Sequence, residues 1–316
     1  VYTNAHYQHA NTETIVGHAT LATGTFPSRH GMVGNVWFDR ELGRLAYNIE
    51  DPTVHPLTAG ADVDSKTEID PTQKAAKVDG RSPDAILSST FSDELAVHYG
   101  GQSKIFGVSG KDRSAVAMAG KAGKAFWYST NTGDFVTSTY YYDDYPEWVK
   151  QWNAAKPADA YRDQSWDLLH DRATYVHGQM DDRPYEADLK PLGRTFPHPL
   201  GGDTKYFYLF LTLTPVGDAL TLDFAKALVE NEKLGHNDTG APDYLQISFS
   251  STDYIGHLFG PSSLETEDNI LRLDRTLADL FQFIDQKIGL DQTLIVLSGD
   301  HGAPEAPEYM AELGLS

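Results

Sequence analysis

The sequence contains no cysteine among its 316 residues. Disulfide bonds and thiolate metal sites are therefore excluded, and any metal ion must be held by nitrogen and oxygen ligands. No apolar run approaches the length of a membrane span. Basic residues are also scarce, with 25 Lys and Arg against 45 Asp and Glu and a formal net charge of −20. This balance argues against nucleic-acid binding through a basic surface.

The residues that are present predict a globular α/β protein. Hydrophobic residues make up 40% of the chain, and 316 residues suffice for one large domain or two small ones. Hydrophobic periodicity and capping residues predict a series of elements. The predicted helices are 12–24, Ser82–His98, Leu222–Leu234 and Leu264–Ile288; the predicted strands are Ser103–Val108, Tyr244–Ser250, Thr293–Ser298 and a hairpin of Phe126–Thr130 with Phe135–Tyr140.

The remaining stretches have weaker patterns. Residues 35–48 are expected to be irregular and extended, and residues 50–75 to form a loop. Residues from about 131 to 214 are rich in aromatic residues, Asp and Pro, and we expect a cap-like insertion there. Alternation of strands and helices elsewhere predicts a largely parallel central sheet flanked by helices.

Two short motifs near the C-terminus carry the chemistry. Asp253 and His257 follow one predicted strand, and Asp300 and His301 follow another. Carboxylate oxygen with imidazole nitrogen is a ligand set that suits Zn²⁺. Open α/β sheets bind ligands at the carboxyl ends of their strands. Either motif alone could be a turn cap beside a surface histidine, but two together indicate two metal ions acting on one phosphoryl group.

These motifs and three others together resemble the alkaline phosphatase superfamily, and within it the phosphate-irrepressible alkaline phosphatases and their nucleotide pyrophosphatase/phosphodiesterase relatives. The resemblance runs through most of the chain and is carried, in this order, by the segments Thr14–Gly24, Pro27–Asn35, Lys111–Arg113, Asp253–Pro261 and Gly299–Gly302. It implies an alkaline-phosphatase-like α/β sandwich with a cap-like insertion and two Zn²⁺ ions per active site. It also implies a small phosphate ester as substrate and a periplasmic or secreted location.

The resemblance implies roles for individual residues. Thr14 matches the nucleophile, which would also bind the second metal; Thr12 is a rival on sequence alone, but the spacing to His18 and Asn35 favours Thr14. Asn35 would donate its amide to a phosphoryl oxygen, although a turn residue after Gly34 is the simpler interpretation. Asp253 and His257 resemble ligands of the first metal, and Asp300 and His301 ligands of the second.

Lys111 and Arg113 bear on the choice between monoester and diester. A phosphate monoester carries two negative charges, and two cations two residues apart can both reach one phosphoryl group. In the resembled family this pair marks phosphomonoesterases. The alternative is an ordinary solvated turn, Gly110 to Arg113, in which Asp112 offsets the charge.

Each predicted metal site lacks one ligand that the family supplies, an upstream Asp and a downstream His. We therefore expect residues 1–316 to form a single but incomplete domain. The expected function is hydrolysis of phosphate monoesters through a phosphothreonine intermediate. Two alternatives remain: a phosphodiesterase or nucleotide pyrophosphatase with the same core, and a catalytically incomplete fragment. A sulfatase is disfavoured because its formylglycine derives from Cys or Ser, and no Cys is present.

Overall fold

The computed structural model describes residues 6–61 and 63–315. Its centre is a four-stranded sheet, joined by two short two-stranded pairs. The strands are β1 (Val36–Asp39), β2 (Arg44–Tyr47), β3 (Ile105–Ser109), β4 (Lys124–Tyr128), β5 (Phe135–Val136), β6 (Ser165–Trp166), β7 (His198–Pro199) and β8 (Tyr244–Ser248).

Helices surround this sheet. They are α1 (Thr14–Thr23), α2 (Pro27–His30), α3 (Phe91–His98), α4 (Asp112–Ala119), α5 (Glu147–Ala154), α6 (Phe207–Thr212), α7 (Pro215–Glu232), α8 (Ser251–Phe259), α9 (Leu264–Lys287) and α10 (Pro307–Glu312). None of the helices within the described ranges is both long and apolar enough to cross a membrane.

The sheet order is β5-β4-β3-β8. Strand β3 pairs in parallel with β4 and β8, and β5 joins the edge in antiparallel register. Since β3 is buried along its whole length, its carboxyl end delivers the chain directly into the centre of the molecule. The predicted α/β architecture with a largely parallel sheet is confirmed.

Strand β3 and the following helix α4 approach each other unusually closely. A Cβ atom on Gly107 would lie 2.4 Å from the carbonyl oxygen of Ala115. Glycine at this position and a run of small residues in α4 therefore allow the helix to rest on the sheet. This contact fixes the turn after Ser109, which carries Lys111, and the first turn of α4, which carries Arg113.

Aromatic side chains fill the core on one face of the sheet. The rings of Phe135 and Phe224 stack with centroids 4.3 Å apart, and Phe126 lies 5.3 Å from Phe224. Trp166 and Leu192, from the segment predicted as a cap, join the same hydrophobic cluster. The cap boundaries at about 131 and 214 and the single-domain assignment stay predictions.

One predicted helix starts later than its sequence suggests. The helix expected over Ser82–His98 begins at Phe91, because Thr90 caps it in a reciprocal arrangement with Asp93. Ser82 instead donates its hydroxyl to Asp51. Residues 35–48, expected to be irregular, form the antiparallel pair of β1 and β2.

The last predicted strand is wrong as a sheet element. Residues 293–298 have no strand assignment, and Leu294 and Val296 are 90% and 80% exposed. An apolar run becomes a strand only where a neighbour completes its hydrogen bonds, and no described strand pairs with this one. Helix α9 packs mainly on α7 and α8. Of its apolar side chains, Leu280 is buried, whereas Ile270 is exposed.

The other predicted elements are confirmed with shifted ends. Helix 12–24 appears as α1, and the strand Ser103–Val108 as β3. The hairpin, the helix Leu222–Leu234 and the strand Tyr244–Ser250 correspond to β4 with β5, α7 and β8. The predicted loop over residues 50–75 contains one short 3₁₀ turn, Gln73–Ala75, and its residue Asp62 lies outside the described residues.

Candidate active site

Thr14 is the first residue of α1, and its side chain is buried. The N–H of the next residue, Ile15, donates to Asn35 Oδ1 over 3.0 Å. Because Oδ1 is engaged, the Asn35 amide can act on a ligand only through Nδ2. The rival Thr12 lies before the helix and is exposed, whereas Thr14 is buried at its start.

Lys111 and Arg113 occupy the turn and first helical turn after β3. Each is only 2% exposed, so the interpretation as a solvated turn is wrong. Arg113 Nη2 lies 3.4 Å from Thr14 Oγ1 and 3.1 Å from Asp70 Oδ2. Arg113 Nε is buried without a hydrogen-bond partner. A buried donor of this kind fits an anionic ligand, since leaving it unsatisfied is costly.

Lys111 joins this turn to the first predicted metal motif. Its Nζ forms a short ion pair with Asp253 Oδ2 and lies 4.2 Å from the ring centroid of Tyr254. The Lys111 backbone N–H donates to Ser109 Oγ. The ammonium group is therefore held at one place by a carboxylate and an aromatic face.

Helix α8 presents Asp253 in its first turn and His257 one turn later. Asp253 Oδ1 lies 3.5 Å from His257 Nε2, and the His257 side chain is 76% exposed. The helix start is supported by Asp218 on α7, whose Oδ1 accepts the N–H of Ser251 over 3.0 Å. Asp253 and His257 therefore lie one helical turn apart on α8.

Asp300 and His301 lie beside helix α1. Asp300 Oδ2 is 3.4 Å from His301 Nε2 and 3.3 Å from His18 Nδ1, while His18 Nδ1 also lies 2.8 Å from the Thr14 carbonyl. His301 Nε2 is 3.7 Å from Asp253 Oδ1. The two motifs and the start of α1 therefore converge on one place, as their proposed roles require.

Both carboxylates are held in the ionised form. Burial alone would raise the pKa of Asp253, but hydrogen bonds from His257 and the charge of Lys111 lower it far below its usual range. Burial likewise opposes the hydrogen bond and charge of His18, which lower the pKa of Asp300. The hydrogen bond to Asp253 raises the pKa of His257. Ionised carboxylates are the form that binds a cation.

The four predicted ligands form pairs rather than a closed cage. No three or more His, Asp or Glu side chains in residues 6–61 and 63–315 are already arranged around one ion position. The donor set nevertheless fits zinc, because two ionised carboxylates face two imidazoles. His301 Nδ1 lies 3.0 Å from the Gly302 carbonyl, which leaves Nε2 directed at the carboxylates.

Sequence reasoning missed Asp70, which pairs with Arg113 from a loop 43 positions away. It also missed Asp112, which accepts from Tyr47 Oη and Arg81 Nε over 2.6 and 2.7 Å. The Asp-Pro-Thr sequence at residues 70–72 was the local signal that could have identified Asp70. In such a turn the aspartate side chain is fixed by hydrogen bonds and can hold a charged partner. Nothing local to Asp112 indicated its partners.

With this geometry in place, the chain can be compared with known proteins. The family model for type I phosphodiesterase / nucleotide pyrophosphatase matches residues 1–313, and the chain belongs to that family. Alkaline phosphatase PhoV of Synechococcus elongatus is 38% identical over 301 residues, which are 95% of this chain and 52% of that protein. The resemblance to the alkaline phosphatase superfamily is thereby confirmed.

Two further relatives complete the comparison. A Myroides odoratus protein named calcium-transporting ATPase is 40% identical over 304 residues, 95% of this chain and 53% of that protein. A crystal structure of an alkaline phosphatase PafA variant has a TM-score of 0.89 and 34% identity, covering 99% of this chain and 58% of that one. The chain spans about half the length of the curated relatives it matches.

The PafA variant in that structure carries substitutions at a threonine, an asparagine, a lysine and an arginine. The spacing between Thr14 and Asn35 equals that between the substituted threonine and asparagine. The spacing between Lys111 and Arg113 equals that between the substituted lysine and arginine.

Proposed function

We propose that the protein containing this chain hydrolyses phosphate monoesters through a phosphothreonine intermediate at a two-zinc centre. One observation carries the proposal: two buried cations, Lys111 and Arg113, contact Asp253 and Thr14 respectively from a single turn. Family membership and the similarity to alkaline phosphatases support phosphoester chemistry.

The proposed ligands divide into two sets. Asp253 and His257 would hold one zinc ion, and Asp300, His301 and the Thr14 hydroxyl the other. Bound zinc would supply Lewis-acid charge that lowers the pKa of the Thr14 hydroxyl and of water. The resemblance assigns one more Asp and one more His to these sites, from outside the motifs described here.

The proposed reaction has two displacements at phosphorus. Thr14 Oγ1 forms a bond to phosphorus as the bond to the leaving oxygen breaks, and the departing alcohol gains a proton. Water then breaks the phosphothreonine bond and releases inorganic phosphate. Arg113 and the Asn35 amide would stabilise the charge on the remaining phosphoryl oxygens, together with Lys111.

The two cations are the reason for preferring monoesters. A monoester dianion exposes two charged oxygens, whereas a diester has one charge and a second substituent. Buried Lys and Arg favour the dianion, because removing charges from water is costly unless a counter-charge is supplied.

The decisive experiment measures kcat/KM for a monoester and a diester with the full-length, zinc-supplied enzyme. We expect monoester preference, and Lys111→Ala or Arg113→Ala should reduce monoester turnover by on the order of 100-fold while affecting the diester less. The exposed Lys121→Ala is the matched control. A wild-type preference for diesters would overturn the monoesterase proposal.

A second measurement tests the intermediate. Thr14→Ala should abolish acid-trapped phosphoenzyme, while Thr14→Ser should retain it, since both hydroxyl residues can form the ester. Phosphoenzyme in the alanine variant would show that another residue is the nucleophile.

The family description names phosphodiesterases, so diester hydrolysis is the second candidate and the substrate comparison decides between them. The proposal that this chain alone is catalytically incomplete is separate. Calorimetric zinc titration of residues 1–316 tests it: two tight sites would contradict incompleteness. A small phosphate ester as substrate and a periplasmic or secreted location are further proposals, based on the resemblance.

A further inference from the structure

We infer that Asp70 is a positioning residue that orients the Arg113 guanidinium toward the phosphoryl group and thereby sets the preference for monoesters. This inference rests on the proposed function and adds to it a residue that neither the motifs nor the comparisons single out.

The contact itself is short and buried. Asp70 Oδ2 accepts from Arg113 Nη2 over 3.1 Å, and the same nitrogen lies 3.4 Å from Thr14 Oγ1. The side chains of Asp70 and Arg113 are 9% and 2% exposed. The guanidinium nitrogen closest to the nucleophile is therefore the one held by Asp70.

Asp70 is itself fixed by its own turn. Its Oδ1 accepts both the N–H and the hydroxyl of Thr72, over 2.8 and 2.6 Å, and Pro71 lies between them. The Asp70 N–H donates to Glu68 Oε1 over 2.8 Å. Because both carboxylate oxygens are engaged, the carboxylate cannot rotate away from Arg113 without losing hydrogen bonds.

The remaining contacts of Arg113 hold its orientation less firmly. Nη1 donates to the Tyr47 hydroxyl over 3.3 Å, and Nε has no partner. A guanidinium group recognises a phosphoryl group through a planar fork, so its rotation matters as much as its distance. Displacement by about 1 Å can reduce a rate by roughly 100-fold. Asp70 therefore fixes the plane in which Arg113 presents its free donor.

The chain contains a matched control for this turn. Residues 51–53 repeat the Asp-Pro-Thr sequence, and Asp51 Oδ1 accepts from the Thr53 N–H and hydroxyl over the same 2.8 and 2.6 Å. The second Asp51 oxygen accepts from Ser82 Oγ instead of an arginine. Asp51→Asn therefore changes the same turn chemistry without touching Arg113.

The experiment compares Asp70→Asn with Asp51→Asn in the full-length, zinc-supplied enzyme. The measurements are kcat/KM for a monoester and a diester and the inhibition constant of inorganic phosphate. We expect Asp70→Asn to lower the monoester-to-diester ratio by on the order of 10- to 100-fold and to weaken phosphate inhibition. Asp51→Asn should leave the monoester-to-diester ratio within about twofold of the wild-type value, because it does not change the orientation of the Arg113 guanidinium group.

Two results would overturn the inference. An unchanged or raised ratio in Asp70→Asn would mean that the carboxylate is neutral or competes with substrate for Arg113. Equal losses for both substrates would assign Asp70 a purely structural role. Thr72→Val, with Thr53→Val as its control, repeats the test through a milder change if Asp70→Asn does not fold; a ratio unchanged there also counts against the inference.

A double variant separates this inference from the proposed function. In an Arg113→Ala background, Asp70→Asn should have no further effect on the ratio, and a second fall of similar size would contradict action through Arg113. If the wild-type enzyme prefers diesters, the proposed function fails. If it prefers monoesters and Asp70→Asn keeps that preference, only the role of Asp70 fails.

Discussion

Gly17 allows helix α1 to lie directly against the backbone of Asp300. It lies one turn after Thr14, and a Cβ atom placed on it would be 2.0 Å from the Asp300 carbonyl oxygen. That distance is far inside van der Waals contact, so any side chain must push α1 away from residues 299–302. The close approach of α1 to the Asp300 backbone therefore requires a residue without a Cβ atom at position 17.

Gly17→Ala should consequently destabilise the fold by about 1–3 kcal/mol or more and lower activity. Gly256 on α8 is the control, because nothing lies within 4 Å of its added Cβ; Gly256→Ala should stabilise by up to about 1 kcal/mol through helix propensity. Urea unfolding of both variants measures the difference. Equal stability of the two would show that α1 and Asp300 are not in this contact.

The structure also explains why single residues were easier to identify than their partners. Six of the candidate site residues lie in contiguous sequence motifs, which can be recognised without a structure. They are Thr14, Asn35, Asp253, His257, Asp300 and His301. Asp70 and Asp218 act through contacts with residues more than 30 positions away. Their significance depends on loop placement, and local spacing contains no information about it.

At the scale of elements, periodicity predicted most helices and strands correctly. The long helix α9 follows a capping serine, since Ser263 Oγ accepts the Thr266 N–H, and it ends within one residue of its predicted end. Strand β8 has the predicted start. The strand predicted at residues 293–298 is wrong because strand formation depends on a neighbouring strand as well as on the local pattern.

The start of helix α3 was predicted too early for a different reason, a local capping pair, and this pair offers a test. Thr90 Oγ1 accepts the Asp93 N–H over 3.1 Å, and Asp93 Oδ2 accepts the Thr90 N–H over 3.0 Å. Thr90→Ala should cost about 1 kcal/mol of stability by removing this cap. The exposed neighbour Ser89→Ala should cost almost nothing. If the two variants unfold at the same urea concentration, the Thr90 side chain does not stabilise the start of α3.

The segment 293–298 gives a second test at this scale. Its apolar side chains are exposed and it pairs with no strand among the described residues. Backbone amides of Leu294 to Leu297 should therefore exchange with solvent close to the unprotected rate in this chain, while those of β3 should be strongly protected. Hydrogen exchange with mass spectrometry measures both. Protection equal to that of β3 would restore the predicted strand.

At the scale of the whole molecule, 45 acidic against 25 basic residues leave an excess of carboxylates, and some of these are buried. Burial, with the nearby charges of Glu265 and Asp181, raises the pKa of Glu186 from 4.5 to about 8. Burial also raises the pKa of Asp218 from 3.8 to about 6. Such carboxyls bind protons more tightly in the folded chain than in the unfolded chain.

The sign of the pH dependence follows from this difference. Protonation of Glu186 stabilises the folded chain fully below about pH 4.5, and this stabilisation is lost as the pH rises through about 8. Glu186→Gln should remove this loss in the free energy of unfolding, which is on the order of a few kcal/mol. The melting temperature, measured by thermal unfolding, should therefore fall less between pH 5 and 9 for Glu186→Gln than for wild type. The exposed Glu308→Gln is the control, and a decline unchanged by Glu186→Gln would contradict the assignment.

Sequence alone predicted the class of the fold and the family correctly and singled out six motif residues, because periodicity, capping and motif spacing are local properties of the chain. Only the tertiary structure decided that Lys111 and Arg113 are buried beside Asp253 and Thr14, that Asp70 holds Arg113, and that residues 293–298 lie unpaired. The physical reason is that burial, ion pairing and strand pairing depend on which distant segments meet, and those meetings are set by the packing of the whole molecule.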